Sequence, residues 1–292
     1  MRARATKKQR QNRKRPIQPT RPDPPNPTDL RTLVQRQFAP VASAYVHSTT
    51  HAHGADLPRM LELAAPTGRE RVLDVATGGG HTALAFAPQV RHTIAIDLTF
   101  EMLTAARQHL AAHGGRRVDY CRAVAEALPF ASQSFDLVTC RVAAHHFADV
   151  RAFVAESARV LRPGGRLLVS DHLGLDDTDL DAFMDRFERW RDPGHVRAYR
   201  FAEWHDFCQE AGLSVVHTEE FPREPYAFDS WTARIRMPEA ERAALERWLL
   251  AAPARFRECF EITEQDGHVV SLRSVFGIIV AHKPVLPVVG DA

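Results

Sequence analysis

Between Val72 and Phe86 the chain reads VLDVATGGGHTALAF. An apolar run carrying one acid, Asp74, ends in three glycines, and an apolar helical pattern follows. Gly78, Gly80 and Ala83 fit the spacing G-x-G-x-x-[G/A], and Asp97 lies 19 positions after Gly78. Glycines at these places let the backbone approach a ligand with no Cβ in the way. A carboxylate at the end of the next strand can accept two hydrogen bonds from a ribose diol. NAD and S-adenosylmethionine both satisfy that chemistry. The plainer readings are a tight turn for the glycines and a helix N-cap for Asp97. Asp74 separates the two ligands: an acid just before the glycines is awkward beside an anionic pyrophosphate, and suits a ligand carrying an ammonium and a sulfonium. Its plainer role is a buried acid paired with backbone or an arginine.

His145-His146 is the second group of interest. An unperturbed imidazole titrates near neutral pH, so His146 can be read as a general base or as a loop brace bonded to backbone. His172 and Tyr45 are the other base candidates. His47, His51 and His53 offer a metal cluster with the histidine pair as an alternative reading, but zinc-type spacing and supporting acids are missing, so no metal is expected. Phe183, Phe187, Trp190, Trp204 and Phe207 recur at near-helical spacing, as core or as a cover over an apolar acceptor.

Positioning these residues requires strands. RVLDVA (71–76), HTIAID (92–97), VDYC (118–121), FDLVTC (135–140) and RLLVSD (166–171) read as buried strands. Helical patterns separate most of them: 81–87 stopped by Pro88, 99–114 with Thr99 as cap and Gly114 as stop, and 149–161. This alternation predicts βαβ units and a doubly wound, mostly parallel α/β sheet covered on both faces. Ligands of such sheets sit at the carboxyl ends of the strands. Those ends supply Ala76 to Gly80, Asp97, Ala123 to Glu126, Arg141 to His146, and Asp171 with His172.

The flanks differ in character. Residues 1–28 are expected to be a disordered basic, Pro-rich tail, and 29–66 a helical N-terminal cap starting at Asp29 and kinked at Pro40. Residues 67–175 form the ligand-binding core. Residues 176–292 complete the sheet: 176–211 reads as helical, 212–221 holds a strand, 238–252 is an amphipathic helix, and 260–282 reads as two strands around Asp266-Gly267.

The bulk numbers suit a soluble globular chain, with 45% hydrophobic and 25% charged residues among 292. The net charge of +2 conceals an asymmetry. Nine Lys or Arg and no acid fall in residues 1–22, leaving 29 bases against 36 acids elsewhere. An acidic body argues against nucleic acid binding by the fold itself. The tail alone could meet RNA, DNA or anionic lipid, and its plainer reading is a solvated extension. No apolar run is long enough to span a membrane, and no secretory pattern opens the chain. The four scattered cysteines read as reduced thiols of a cytoplasmic protein. Nothing in the sequence sets an oligomeric state.

The block AEALPFASQSFDLVTCRVAAHHFADVRAFVAESARVLRPGGRLLVSDH, residues 125–172, closely resembles the class I S-adenosylmethionine-dependent methyltransferases, nearest the ubiquinone/menaquinone C-methyltransferase-like branch. The matching signature is Asp74-Val75-Ala76-Thr77-Gly78-Gly79-Gly80, then Asp97, then AExLPF, SFDxV, HH and RVLxPGG. QFAPVASAYVHSTTHAHGADL (37–57) resembles the N-terminal cap of that group. The resemblance implies a Rossmann-like sheet of seven strands with an antiparallel C-terminal strand. It implies S-adenosylmethionine as cofactor and a small-molecule methyl acceptor as partner. Asp97 would hold the ribose, Leu98 and Met102 would flank the adenine, Ala125 and Glu126 would line its edge, and Tyr45 and Arg141 would lie near the methionine end. One position departs: Val124 stands where an Asp usually receives the adenine amino group. Two rival functions stay open: an NAD-dependent oxidoreductase, and a non-enzymatic sensor of S-adenosylmethionine or RNA-associated protein.

Overall fold

The computed structural model describes residues 26–48 and 52–285. The basic tail up to residue 25 and His51 lie outside the described residues. The first helix, α1 (Pro27–Phe38), starts earlier than expected, because Asn26 rather than Asp29 is its cap and accepts from Thr28 N at 3.0 Å. Pro40 sits in a 3₁₀ turn (Ala39–Val41) that separates α1 from α2 (Ala42–Val46). After α3 (Asp56–Ala64) the alternation begins: β1 (Arg71–Val75), α4 (His81–Phe86), β2 (His92–Asp97), α5 (Phe100–Ala112), β3 (Val118–Arg122), β4 (Phe135–Arg141), α6 (Val150–Val160) and β5 (Leu161–His172).

Two segments depart from the sequence reading. Residues 176–211 form two helices, α7 (Thr178–Arg191) and α8 (Phe201–Glu210), because Pro193 and Gly194 interrupt the run. After β6 (Ser214–Glu220) come β7 (Tyr226–Ala227), α9 (Phe228–Arg234), α10 (Glu239–Leu250) and α11 (Ala254–Cys259). The stretch 260–282 then yields three strands, β8 (Thr263–Gln265), β9 (His268–Leu272) and β10 (Phe276–His282). The turn at Asp266 and Gly267 has both φ values positive, 52° and 80°, and closes the β8–β9 hairpin. The chain then leaves that hairpin to enter the main sheet.

The main sheet has seven strands in the order β3-β2-β1-β4-β5-β10-β6. Strands β1 to β5 pair in parallel, and β10 lies antiparallel between β5 and β6. A second sheet of three short strands, β7-β9-β8, belongs to the C-terminal cover. Alternation along each strand divides the core. Leu73, Val75, Val138, Cys140, Leu167 and Val169 pack on one face with Phe153, Trp204 and Phe207. Val72, Leu137, Leu168, Ile278 and Val280 pack on the other with Met60 and Phe86. Burial on both faces is why the strands read as nearly continuous apolar runs. The near-helical aromatics split between two cores: Trp204 and Phe207 join the sheet face, while Phe183, Phe187 and the half-buried Trp190 join the C-terminal cover. The winding reverses at β1 and β4, so the crevice lies outside their carboxyl ends. Among the described residues no helix is long and apolar enough to cross a membrane.

Gly80 holds this frame together from behind the crevice. Its φ is +82°, and an added Cβ would overlap Leu110 Cδ1 and lie 3.1 Å from Ala106 Cβ on α5. Gly80→Ala is therefore expected to cost about 1–3 kcal/mol through strain and overpacking. Chemical denaturation measures this; a variant as stable as the parent contradicts the packing role.

Candidate functional site

A cleft with about 1420 Å³ of empty space, counting its mouth, opens at the carboxyl ends of β1, β2, β4 and β5. Its outer half is lined by Ala76 to Gly79, Asp97 to Thr99, Met102 and Ala123 to Glu126. Asp97 has two backbone bonds, accepting from Gly78 N at 2.9 Å and from Thr99 N at 2.8 Å. It thus fixes the turn that leads into α5, ties the glycine loop to β2, and still borders the cleft. The Thr99 side chain makes no capping bond. Burial pushes the Asp97 carboxyl up to about 6. Leu98 and Met102 line the same half, with Leu98 O fixed by Gln35 Nε2 and Arg122 Nε. Ala125 is buried, and Glu126 accepts from Ala148 N while pairing with Arg31 at 3.4 Å.

Asp74 and Gly80 do not line the cleft. Asp74 lies beneath the loop, where Oδ2 accepts from Thr77 Oγ1 at 2.6 Å and Oδ1 from Thr139 Oγ1 at 2.8 Å. The direct contact with an ammonium or sulfonium read from the sequence is therefore replaced by a positioning role on Thr77. Burial pushes the Asp74 carboxyl up to about 6. Gly79 is the loop's closest approach to the N-terminal cap: a Cβ there would lie 3.1 Å from the Tyr45 backbone. His81 Nε2 meets Tyr45 O at 3.1 Å. Phe38, Tyr45, Val34 and Arg31 thus roof the cleft.

The inner half is polar. Arg141 ends β4 and clamps Asp56 of α3 with both prongs, Nε to Oδ2 at 2.6 Å and Nη2 to Oδ1 at 2.8 Å. Ser170 Oγ donates to the same carboxylate, and Arg223 Nη2 is 3.6 Å from it. Val142 follows with φ +54°, costly for a β-branched residue, and its N–H donates to Ser170 O at 2.7 Å. Asp171, at the end of β5, gathers the next turn: Oδ2 accepts from Ala143 N and His145 N, and Oδ1 meets His145 Nδ1 at 2.5 Å. Desolvation opposes charge on His145, but the Asp171 carboxylate outweighs it and raises the pKa. Donation from Nδ1 to Asp171 leaves Nε2 as the basic nitrogen beside the cleft.

His146 is arranged differently. Its Nδ1 bonds Gly194 O at 2.9 Å, Phe38 packs on its ring, and burial with the nearby His145 charge lowers it to about 4. His172 is buried and held well below the usual imidazole range by desolvation, with Nδ1 3.6 Å from Glu188. Tyr45 is raised by burial and hydrogen-bonded to Arg191, so its hydroxyl stays protonated at neutral pH. The segment after α7 closes the chamber, with Val196 N donating to His145 O at 2.7 Å. His145, Asp171 and His172 offer ligand atoms within 4.8 Å of one another. Among the described residues, His47 and His53 take no part in that group.

The sequence reading missed Glu188, Arg191, Arg223, Tyr226, Trp231 and Arg234, all of which line the inner half. Glu188 and Arg191 stand three apart on α7, hence on one helix face, which was a readable signal. The others arrive on the C-terminal cover, whose docking no local pattern announces.

A family described as a methyltransferase domain matches residues 73–169. YcgJ of Bacillus subtilis, an uncharacterized methyltransferase, is 38% identical over 235 residues, covering 80% of this chain and 92% of YcgJ. A ubiquinone/menaquinone biosynthesis C-methyltransferase from Dinoroseobacter shibae is 36% identical, over 54% of this chain and 66% of its own. The crystal structure of a methyltransferase candidate from Bacillus halodurans superposes with a TM-score of 0.76 at 37% identity, over 80% of this chain and 100% of that one.

The Asp56–Arg141 pair carries a stability consequence. Asp56→Ala strands the buried Arg141 charge and is expected to cost about 3–5 kcal/mol. Asp56 is held below the usual carboxylate range, because Arg141 and Arg223 outweigh its burial. Its contribution is present above about pH 4 and is lost as pH falls through the folded pKa. Urea unfolding of parent and variant at pH 7 checks the loss; a change under 1 kcal/mol contradicts it.

Proposed function

Because this chain belongs to the class I S-adenosylmethionine-dependent methyltransferases, we propose that it transfers the cofactor's methyl group to a small-molecule acceptor held in the inner half of the cleft. The observation that carries this reading is continuity: one cleft joins the Asp97 and glycine-loop end to the histidine-lined chamber. The residues at the outer end fit the cofactor. Bare backbone at Thr77 to Gly79 and a cleft-facing carboxylate at Asp97 suit a nucleoside. Asp97 holds the ribose hydroxyls, Leu98 and Met102 sandwich the base, and Ala125 and Glu126 border its edge. With Val124 in place of an acid, the adenine amino group is left to backbone and packing. Ala76, Gly78, Tyr45 and Arg141 face the methionine end. Asp74 and Gly80 act by shaping the loop.

Bound there, S-adenosylmethionine supplies an electrophilic methyl carbon on a sulfonium. The chain's own part is to align the acceptor with that carbon, exclude water and remove a proton where the nucleophile carries one. Of the side chains at hand, His145 suits proton removal best. Asp171 fixes its tautomer and raises its basicity, whereas His146 and His172 are weak bases and Tyr45 is a phenol. His146 braces the loop through Gly194. Methyl transfer from radiolabelled S-adenosylmethionine into a metabolite extract tests the reading, and binding of NAD in preference to S-adenosylmethionine overturns it.

Two finer outcomes follow from the site. Asp97 is raised to about 6, so its charge is present above that pH and lost below it. S-adenosylhomocysteine affinity is expected to be flat above pH 7 and to fall as pH drops through 6. Without ligand the sign reverses: the folded state takes up this proton before the unfolded chain does, so Asp97 adds stability as pH falls from about 6 toward 4. Asp97→Asn should weaken binding by about ten- to a hundredfold, from the loss of hydrogen bonds worth about 1.5–3 kcal/mol, and should flatten the pH profile. Calorimetry between pH 5 and 8 reads both, and an unchanged profile in the variant refutes the ribose role.

The base assignment separates two variants. His145→Gln is expected to lower kcat by about 10²–10⁴-fold with cofactor affinity nearly intact. His146→Gln should instead lower stability and rate together. A selective loss of kcat in His146→Gln alone would move the base to that residue.

A further inference from the structure

Two glutamines of α1 reach opposite halves of the cleft, and the sequence around them shows why. In Val34-Gln35-Arg36-Gln37-Phe38, the apolar residues Val34 and Phe38 stand four apart and share one face of the helix. Both join Met102 and Ala105 of α5 in one apolar cluster. Each helical residue turns the chain by about 100°. Gln35, one after Val34, and Gln37, one before Phe38, therefore fall on opposite flanks of that apolar stripe. Both are half-buried. Gln35 Nε2 donates to Leu98 O at 3.1 Å, on the loop that leaves β2 beside Asp97. Gln37 bonds in the other direction. Its Nε2 donates to Asp192 Oδ1 at 2.5 Å, and its Oε1 accepts from Gly194 N at 3.2 Å. Both ends of one amide are thus matched to the loop that follows α7.

That loop in turn holds the histidines of the inner half. Gly194 O accepts from His146 Nδ1 at 2.9 Å, and Asp192 Oδ2 lies 3.8 Å from His146 Nε2. Two residues further on, Val196 N donates to His145 O at 2.7 Å. Asp192 is buried; desolvation opposes its charge, but His146, Arg191 and Gln37 outweigh it and hold the carboxyl below its usual range. The loop and α1 are also closely fitted. A Cβ on Gly194 would lie 3.3 Å from Val34 Cγ2 and 3.4 Å from Gln37 Oε1. Phe38 completes the contact, edge-on to His146 with ring centroids 5.0 Å apart.

We propose that α1 is a clasp shared by the two half-sites, in which Gln35 positions the cofactor's base through Leu98 and Gln37 positions the histidines of the acceptor chamber through Asp192 and Gly194. This rests on the reading that the outer half takes the cofactor and the inner half the acceptor, and it adds the two positioning residues that join them. Because the two amides serve different halves, loss of either one disturbs its own half and leaves the other as it was.

Hydrogen exchange at residues 194–196 and calorimetry with S-adenosylhomocysteine, both on the full chain, test this. Gln37→Met keeps the length of the side chain and removes its donor and acceptor. Exchange at 194–196 is expected to quicken about tenfold, with S-adenosylhomocysteine affinity changed less than about twofold. Gln35→Met should do the reverse, weakening S-adenosylhomocysteine about fivefold and leaving exchange at 194–196 unaltered. Gln37→Glu supplies a readout that general loosening would not give. Near pH 8 its carboxylate faces Asp192, and exchange should again be about tenfold faster than in the parent. Beside that like charge the new carboxyl takes up a proton as pH falls toward about 5, donates it to Asp192, and restores the parent's rate at the same pH. Equal effects of both Met variants on both readings overturn the proposal, as does a Gln37→Glu protein whose exchange does not recover in acid. Failure of S-adenosylhomocysteine to bind the parent protein would instead defeat the cofactor reading, and the shared clasp with it.

Discussion

The Asp171 carboxylate organises the inner half of the cleft. It sits at the end of β5 and reaches sideways to the exit of the adjacent parallel strand, β4. There it accepts from two backbone N–H groups and one imidazole, while its own neighbour His172 donates a fourth bond at 2.7 Å. A buried carboxylate with four donors remains ionised despite its desolvation, and its pKa is lowered. One side chain thereby fixes the turn after β4, the tautomer of His145 and the spacing between the two strand ends. The Val142 backbone, the His145 carbonyl and the segment that docks on it all take their places from that turn.

The sheet was legible because its physics is local. Buried parallel strands must be apolar along their whole length, and helices must separate them, so the order of elements could be read directly. The glycine loop and Asp97 were legible for a related reason, since a fixed strand-turn-helix geometry links their spacing to their positions. Asp74 shows where such reasoning stops. Its place in the signature was visible, but whether it faced the ligand or the loop depended on Thr77 and Thr139, and Thr139 comes from another strand. Likewise, His145 and His146 are adjacent in sequence and only the fold distinguishes them. One meets the carboxylate of the neighbouring strand, the other a carbonyl from the segment after α7.

The inner half of the cleft was the least legible for a topological reason. Its walls come from the C-terminal cover, where α7, β7 and α9 each contribute one or two residues. Each of those residues is unremarkable in its own helix or strand. Their common purpose exists only after the hydrophobic cluster around Phe187, Trp231 and Phe260 has packed the cover against the strand ends. The same division separates an outer half built on the regular sheet from an inner half built on the C-terminal cover.

Val142 adds a thermodynamic consequence. Holding a β-branched residue at φ +54° costs on the order of 1–3 kcal/mol, which is a sizeable share of a typical net folding free energy of about 5–15 kcal/mol. The deficit is made good by the packed sheet below and returned nowhere in stability. Thermal robustness and site geometry therefore compete at this single backbone position. Selection for heat tolerance alone would favour relaxing this turn, and would thereby loosen part of the cleft wall.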